Sequence, residues 1–426
     1  MRLQWTNLGG HFLLRLLIVL TTFLRAIAGP VWADENWPNL HGPRHNSHSD
    51  STGLPLTWSE TENIAWKTAI HDSGWSSPVV WGNQIWLTTA TDDGRQSFAV
   101  CIDRQSGKIL HDVKLFETAR PQDTRQYNSF ASPTPVIEEG RVYVAFGSYG
   151  TACLDTHDGK VVWTRRDLPC LHWRGPASSP IVFENLLILH FDDYDQQYVV
   201  GLDKRTGETV WRKDRQIDYG STNGDHMKAY GTPIVIEVNG RRQLISQAAK
   251  ATLAYDPQTG AELWRMRYDG HSTAARAVFG HGLVFLLAGS EKKLFAVKPD
   301  GHGDVTGTHV AWEFAKSMPR HPTPLLVGDA LYLIDDSGVL TCLEAATGEV
   351  VYTKRIGGDF WSSPLFADGR IYLMSHQGKT TVIAPGKTPR ILAENQLEGA
   401  FRASLAVSGR SLILRTETHL YRIEQP

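Results

Sequence analysis

One short pattern recurs along the chain: an acidic residue, a Gly four residues later, and a Trp four residues after that. "LDKRTGETVW" occupies Leu202–Trp211, and "LDTHDGKVVW" and "YDPQTGAELW" repeat it from Leu154 and Tyr255. Weaker copies are "IDRQSGKILH" from Ile102 and "LEAATGEVVY" from Leu343. Each copy predicts a hairpin, because Gly suits a left-handed turn position and Asp can bond the amides of the turn. A chain that repeats one hairpin and one large aromatic must pack many copies of a single unit.

A second repeated segment precedes each hairpin and in most copies begins with Ser or Thr followed by Pro. "SSPIVFENLLIL" at Ser178 and "SSPVVWGNQIWL" at Ser76 are two of these segments. Eight units follow if two degenerate copies are counted. We call the Pro of this segment, or the residue at its place in a degenerate copy, the anchor of the unit. The anchors are Pro78, Pro135, Pro180, Pro233, Ala277, Pro324, Pro364 and Ser404. The anchors lie 40 to 57 residues apart, which is the spacing of propeller repeats. With four short strands per unit, the sequence predicts an all-β, eight-bladed β-propeller.

The eighth unit begins at Arg402 and has no segment for an outer strand before Pro426. A suitable strand, "ENIAWKTAI" at Glu62–Ile70, occurs before the first unit and carries Trp66 in the position of the repeated aromatic. We therefore expect this N-terminal strand to complete the last blade. An open ring would leave unpaired strand edges, which promote aggregation.

The chain divides into three parts. Residues 1–33 are typical of a signal peptide: Arg2 is followed by an apolar run, and "VWA" at Val31–Ala33 offers a cleavage site. Arg15 and Arg25 interrupt the apolar run, so no stable membrane anchor is expected after cleavage. Residues 34–61 form an N-terminal segment that packs on the propeller, and residues 62–426 form the single propeller domain. Export predicts a periplasmic or extracellular location.

Composition excludes some partners. The net charge of −2 gives no reason to expect nucleic-acid binding. Cys101, Cys153 and Cys342 occupy the same slot in different repeats, where other copies have small apolar residues, so they are expected to be buried thiols too far apart to bridge. A Cys153–Cys170 bridge stays open. No two cysteines are close in sequence, so no cysteine metal site is predicted.

These repeats resemble those of the pyrroloquinoline-quinone-type (PQQ-like) β-propellers, whose tryptophan-docking motif has the form D-x-x-x-G-x-x-x-W. "NWPNLHGP", "NIAWKTAI" and "GWSSPVV" resemble a bacterial exported subfamily, and the resemblance runs from about Trp37 to the end. It implies the eight-bladed fold. Its implication for function is broad, because such propellers include quinoprotein dehydrogenases and the propeller lipoprotein of outer-membrane protein assembly.

The long connections between units all fall on one face. They are Lys114–Ala131, Arg165–Ala177 and Lys213–Tyr230, and long loops on a rigid scaffold are where function is usually found. The residues three before the anchors should ring the mouth of the central channel, and they are Trp75, Ser132, Ala177, Tyr230, Ala274, His321, Trp361 and Phe401. Adjacent cations complete the predicted ligand-binding set: Trp75, Arg174, Lys228, Tyr230, Arg276, His321, Trp361 and Arg402.

Such an aromatic and cationic funnel suits a planar anion, for example a quinone carboxylate, or an acidic peptide. The alternative is that the aromatics plug the channel and the cations are solvated or paired. Asp192, Asp193 and Asp195 could hold Ca²⁺ or could be solvated turn residues. Asp225 and His226 could act as acid and base or could belong to a surface loop.

Three functions stay open at this stage. The first is an exported, non-catalytic binding or scaffold module with an unknown small anionic ligand or protein partner, expected to be a monomer. The second is a PQQ-dependent dehydrogenase that oxidises alcohols or sugars, for which PQQ with Ca²⁺ would be the cofactors. The third is a hydrolase or lyase with a site built from loops. The adjacent Cys pair common in alcohol-oxidising members is absent, and no Glu/Asn/Asp calcium set can be carried over. No catalytic or metal-binding residue is assigned.

Overall fold

Eight antiparallel sheets of short strands make up the computed structural model, which describes residues 36–122, 124 and 128–425. This is the predicted eight-bladed β-propeller. The predicted signal peptide lies outside the described residues. No helix in the described part of the chain has the length and apolar character needed to cross a membrane.

Each blade has four strands, numbered here from the channel outward. The strands of blades 1 to 4 are Val79–Trp81, Gln84–Ala90, Gln96–Asp103 and Ile109–Glu117; Val136–Glu138, Arg141–Ala145, Thr151–Asp155 and Val161–Arg165; Ile181–Phe183, Leu186–Asp192, Gln197–Asp203 and Thr209–Asp214; and Ile234–Val238, Arg241–Gln247, Ala251–Tyr255 and Glu262–Arg267. The strands of blades 5 to 7 are Val278–Gly280, Leu283–Leu287, Leu294–Val297 and Val310–Phe314; Leu325–Val327, Ala330–Ile334, Val339–Glu344 and Val350–Arg355; and Leu365–Ala367, Arg370–Met374, Lys379–Ala384 and Arg390–Gln396.

Blade 8 is assembled from both ends of the described chain, as the sequence predicts. Its inner three strands are Ala406–Ser408, Ser411–Arg415 and His419–Ile423, and its outer strand is Ile64–Ala69. The outer strand pairs antiparallel with the third, with Lys67 opposite Tyr421. Two short extra strands join other blades, His48–Ser49 on blade 7 and Gly303–Asp304 on blade 4. Short 3₁₀ helices occur at Gly224–Met227 and Gly289–Glu291.

The repeated hairpin has two functions in the fold. The Asp203 carboxylate accepts hydrogen bonds from the backbone N–H groups of Arg205 (2.8 Å) and Thr206 (3.1 Å), and Gly207 takes the left-handed conformation at φ 77°. The indole of Trp163, from the preceding blade, lies against Gly207, where a Cβ atom would come within 2.7 Å of the ring. The same indole donates its N–H to the carbonyl of Lys204 at 3.0 Å. The turn of one blade is therefore the seat for the Trp of the blade before it.

Several other blades share this contact, with variations. Trp211 lies against Gly260, although no described residue accepts its indole N–H, and His111 lies against Gly159 in the place of a Trp. Trp66 lies against Gly107 and Trp312 against Gly348, so the closing strand uses the same contact as the other blades. The sequence also places Trp264 in this set. Its N–H instead bonds the side chain of Gln243 in its own blade at 2.7 Å, because a longer segment, 298–309, replaces the tight turn of the next blade.

The hydrophobic core consists of several buried clusters, and each of these clusters lies where adjacent sheets are in contact. The four cysteines are buried and free. One such cluster contains both Cys153 and Cys170.

The segment before the closing strand crosses the inner strands on the tight-turn face, where the first strand of each blade turns into the second. Trp37 exchanges two backbone hydrogen bonds with Val80, both 2.8 Å long. Further along, the backbone carbonyl of Ser47 accepts the N–H of Phe366 at 2.9 Å, and a ring nitrogen of His48 contacts the carbonyl of Leu326 at 2.7 Å. The segment thus bridges blade 1 to blades 6 and 7 across one end of the central channel.

Candidate ligand cavity at the channel mouth

The long connections of blades 1 to 3 pack on one another at the opposite face, which we call the long-loop face. The side chain of Asn128 donates to the carbonyl of Pro176 at 3.0 Å, which joins the first loop to the second. The second loop also contacts the hairpin tip of blade 3, where the N–H of Leu171 donates to Asp195 at 2.6 Å. Because these loops share side-chain hydrogen bonds, they form a fixed wall around part of the channel mouth.

A cavity of about 590 Å³ occupies this end of the channel. Seven of the eight residues predicted to ring the mouth line it: Trp75, Ser132, Ala177, Tyr230, Ala274, His321 and Trp361. Leu40 and His41, from the N-terminal segment, line its inner end. His41 is buried, and burial together with the positive charge of Arg276 keeps its pKa well below the ordinary value. The cavity therefore opens toward the long-loop face and ends at the N-terminal segment.

A belt of hydroxyl groups surrounds the cavity just below the aromatic ring. In seven blades a residue of this belt donates its backbone N–H to the side-chain hydroxyl of the corresponding residue in the next blade, at 2.9 to 3.0 Å. The belt residue directly precedes the anchor in blades 1 to 7, whereas in blade 8 it is Ser404 itself, one place later than the anchor spacing predicts. The hydroxyl residues of the belt are Ser77, Thr134, Ser179, Thr232, Thr323, Ser363 and Ser404. This contact explains why the repeat requires Ser or Thr before its Pro.

Arg276 occupies the eighth position of the belt, in the degenerate fifth unit. Its backbone N–H donates to the Thr323 hydroxyl at 3.0 Å, as in the other blades. In place of a hydroxyl, its guanidinium donates through Nε and Nη2 to the carbonyl of Pro233 in blade 4, at 3.1 and 2.8 Å. Arg276 is 2% exposed, so it ties two blades together and also faces the cavity.

An aromatic and cationic cluster forms the wall on the side of blades 6 to 8. The imidazole of His321 stacks on the indole of Trp361 with ring centres 4.1 Å apart, and Trp75 meets Trp361 edge to face at 5.7 Å. The Arg402 guanidinium lies 4.2 Å from the ring centre of Trp75 and 4.5 Å from that of Trp361. Contacts of this kind hold a cation over the faces of aromatic rings.

Most charges around the mouth are already paired. Arg402 contacts Glu417 at 3.0 Å, Arg320 approaches Asp336 at 3.9 Å, and Arg174 approaches Asp225 at 3.9 Å. The carboxylate of Asp359 accepts the indole N–H of Trp361 at 3.0 Å. These pairs orient the side chains of the wall and leave little uncompensated charge at its rim.

Two residues predicted at the mouth lie elsewhere. Lys228 does not line the cavity, because its side chain is 1% exposed and its ammonium group is paired with Asp225. Phe401 is fully buried in the hydrophobic cluster that contains Leu397 and Leu405. Arg174, Tyr230, Arg276 and Arg402 line the cavity together with the predicted aromatics. Tyr230 presents a hydroxyl group that no described residue hydrogen-bonds.

The acidic hairpin tip of blade 3 is structural. Asp192 forms a buried ion pair with Arg215, and the buried Asp193 contacts the His172 ring at 3.3 Å. Both alternatives that the sequence leaves open, a calcium site and solvated turn residues, are therefore wrong for these two carboxylates. Among the described residues, no group of three or more His, Cys, Asp and Glu side chains is arranged to hold a metal ion.

Asp225 and His226 lie in the third long loop. A hydrogen bond and ion pair with Lys228 lower the pKa of Asp225, against the opposing effect of partial burial. His226 contacts the Ser221 hydroxyl at 3.1 Å and packs on the ring of His271. Both side chains are thus engaged within their own surroundings, in a loop that contributes to the wall.

Sequence reasoning missed part of the cavity. The hydroxyl belt could have been found, because a Ser or Thr precedes almost every anchor. His41, Asn128, Asp336 and Asp359 carry no signal in the repeat spacing, since they come from the N-terminal segment and from loops outside the repeated segments.

Comparison with known proteins identifies relatives of this architecture. The sequence profile of the family described as outer membrane protein assembly factor BamB matches residues 56–237 and 249–388, more than half of the chain. BamB of Yersinia pestis is 22% identical over 248 residues, which are 57% of this chain and 59% of that protein. Quinohemoprotein alcohol dehydrogenase ADH-IIG of Pseudomonas putida is 27% identical over 258 residues, which are 54% of this chain and 33% of that protein.

Likeness of fold extends further along the chain than likeness of sequence. The crystal structure of BamB from Moraxella catarrhalis aligns with a TM-score of 0.61 over 85% of this chain and 97% of that one, at 13% identity. An identity this low shows a shared fold alone. The chain spans 59% or less of the length of the two relatives matched by sequence.

Proposed function

The chain belongs to the family of the outer membrane protein assembly factor BamB, and on that premise we propose that it is an exported, non-catalytic propeller that binds its partner through the long-loop face. The partner would be a component or a substrate of an outer-membrane assembly process. The proposed location is the periplasm, where such a process takes its substrates.

The observation that carries this proposal is the difference between the two faces. On the tight-turn face, the N-terminal segment covers the channel, and the first and third turns of the blades are short except for segment 298–309 of blade 5. On the long-loop face, interlocked loops surround an open cavity with an aromatic wall. Fixed loops and partly exposed aromatic side chains provide contact area that loses little entropy on binding.

The side chains of the cavity favour binding over catalysis. Asp336 and Asp359, the two carboxylates that line it, each hold neighbouring groups of the wall: Asp336 accepts the N–H of Arg320 at 2.9 Å, and Asp359 accepts that of the Trp361 indole. A general base must be able to reach a substrate proton, and these two carboxylates already accept hydrogen bonds from the wall.

A quinoprotein dehydrogenase is the second candidate, favoured by the local match to the Pseudomonas putida enzyme. PQQ with Ca²⁺ would require clustered oxygen ligands beside the quinone. Asp336 lies at the hairpin tip of blade 6 and Asp359 in the connection from blade 6 to blade 7, and each carboxylate already accepts a hydrogen bond from the wall. They therefore do not fit a quinone with its calcium ion.

Two measurements distinguish the two candidate functions, one in the host cell and one on the purified protein. Depletion of the protein should lower the amount of folded β-barrel protein in the outer membrane, and the wild-type gene should restore it. Addition of PQQ and Ca²⁺ should give neither bound-quinone absorbance nor dye-linked oxidation of alcohols or sugars. Unchanged outer-membrane proteins, or quinone-dependent oxidation, would contradict the proposal.

A further inference from the structure

Arg276 carries a buried positive charge that no described carboxylate compensates. It is 2% exposed, and burial alone lowers its pKa to about 9. The other cavity arginines have carboxylate neighbours, and the equally buried Arg215 is paired with Asp192. Removing a charge from water without a counter-charge is strongly unfavourable.

The guanidinium has one edge available for a ligand. Of its five N–H donors, the one on Nε and one on Nη2 point to the Pro233 carbonyl. Two of the remaining three, one on Nη1 and one on Nη2, lie along the Nη1–Nη2 edge, and no described residue accepts a hydrogen bond from Nη1. That edge has the fork geometry that binds two oxygens of a carboxylate, sulfate or phosphate group.

The groups around Arg276 are also hydrogen-bond donors. Each belt hydroxyl accepts a backbone N–H, and no described residue accepts the hydroxyl proton in turn. Thr323 bonds the Arg276 backbone in this way, and Thr232 stands in the adjacent blade 4. His41 faces the same space from below. A cavity floor that combines a guanidinium edge with several hydroxyl protons available to donate is complementary to an anion.

We propose that the floor of the cavity is an anion site, in which Arg276 binds two oxygens of a small oxyanion through its free guanidinium edge. The belt hydroxyls beside it supply further donors. The source of the oxyanion is either the charged group of a ligand or partner, or a free inorganic ion. If the oxyanion is a group of a ligand or partner, this inference rests on the proposed function. If it is a free inorganic ion, the site is independent of that function.

Arg415 shows that a buried Arg without a carboxylate partner is not by itself an anion site. Burial likewise lowers its pKa to about 9. Its Nη1, however, donates to the carbonyl and hydroxyl of Ser76 and to the carbonyl of Thr88, and Arg415 does not line the cavity. Arg276 combines an unpaired charge with access to the cavity, and Arg415 is therefore the internal control.

Crystals of the protein soaked in sodium selenate test the site directly. The anomalous signal of selenium should show a peak beside the Nη1–Nη2 edge of Arg276 and none beside Arg415. Excess acetate should remove the peak if the site takes carboxylates, and should leave it if the site prefers tetrahedral oxyanions. The absence of a peak at Arg276, or peaks confined to exposed cations, would overturn the proposal.

Solution binding gives a second test that does not depend on crystals. Sulfate titrated calorimetrically at constant ionic strength should bind at least 10-fold more weakly to Arg276→Lys, which keeps the charge and loses the fork. Arg205→Gln, on the exposed tight-turn face, should bind like wild type. Equal binding by folded Arg276→Lys and wild type would contradict the site, and the selenate peak decides if that variant does not fold. These binding measurements are independent of the outer-membrane protein level, which tests the proposed function, so failure of one proposal can be told from failure of the other.

Discussion

Replacement of Trp163 by Ala tests how neighbouring blades are joined. The side chain is 9% exposed, lies against Gly207 of the next blade and donates a hydrogen bond to the Lys204 carbonyl. Truncating a buried aromatic of this size costs about 3–5 kcal/mol. About 1 kcal/mol of that belongs to the hydrogen bond. Trp163→Phe loses this bond and part of the buried area but keeps a ring against Gly207, so it should cost roughly half as much.

Urea denaturation followed by far-UV circular dichroism measures this cost. A lower midpoint at an unchanged slope would show lost stability without a change in the surface exposed on unfolding. Val162 is the matched control, because it is adjacent in the same strand and 43% exposed. Val162→Ala should stay within about 0.5 kcal/mol of wild type. If Trp163→Ala costs no more than Val162→Ala, the contact between blades does not stabilise the ring as argued.

Further predictions concern buried ionisable groups and thiols. Asp192→Asn leaves Arg215 buried without its partner and should lower the free energy of unfolding by about 3–5 kcal/mol in the same denaturation assay; a smaller loss than that of an exposed Asp→Asn change would contradict the buried pair. Burial and the nearby charge of Arg276 lower the pKa of His45 to about 3 from its ordinary value of 6.5, so the unfolded chain takes up this proton first. Stability should therefore fall as the pH drops from about 6.5 toward 3, by up to about 1.4 kcal/mol per pH unit from this group, and His45→Asn should reduce that slope; equal slopes would refute the assignment. The four free thiols predict that a reducing agent leaves the melting temperature unchanged and that all four titrate after denaturation, whereas a drop in melting temperature would reveal a disulfide.

The repeat predicts backbone positions well, and the structure shows why. A residue three places before an anchor has the same position in seven of the eight blades, so Trp75, His321 and Trp361 could be placed around one cavity from spacing alone. The pairing of the outer strand with blade 8 follows from the same count, because a blade that lacks a strand must obtain it from elsewhere in the chain.

Side-chain partners from different loops could not be predicted in this way. Lys228 and Asp192 look exposed in sequence, because their loops are polar, yet each is buried against an oppositely charged partner. The sequence predicts Arg276 as a cation of the mouth, whereas it replaces a hydroxyl in the belt and bonds the neighbouring blade. The repeat spacing predicts where each side chain lies in its blade. The residue with which that side chain pairs depends on loops whose sequences do not repeat.

Photo-cross-linking from both faces of the propeller tests the proposed docking face most directly. A photoreactive amino acid would be placed in living cells at exposed long-loop positions, Leu171 and Asn223, and at exposed tight-turn positions, Asn83 and Thr347. Docking through the long-loop face predicts that Leu171 and Asn223 give the same discrete adduct, and that Asn83 and Thr347 give none. An adduct that forms from Asn83 and Thr347 and is absent from both long-loop positions would contradict the account.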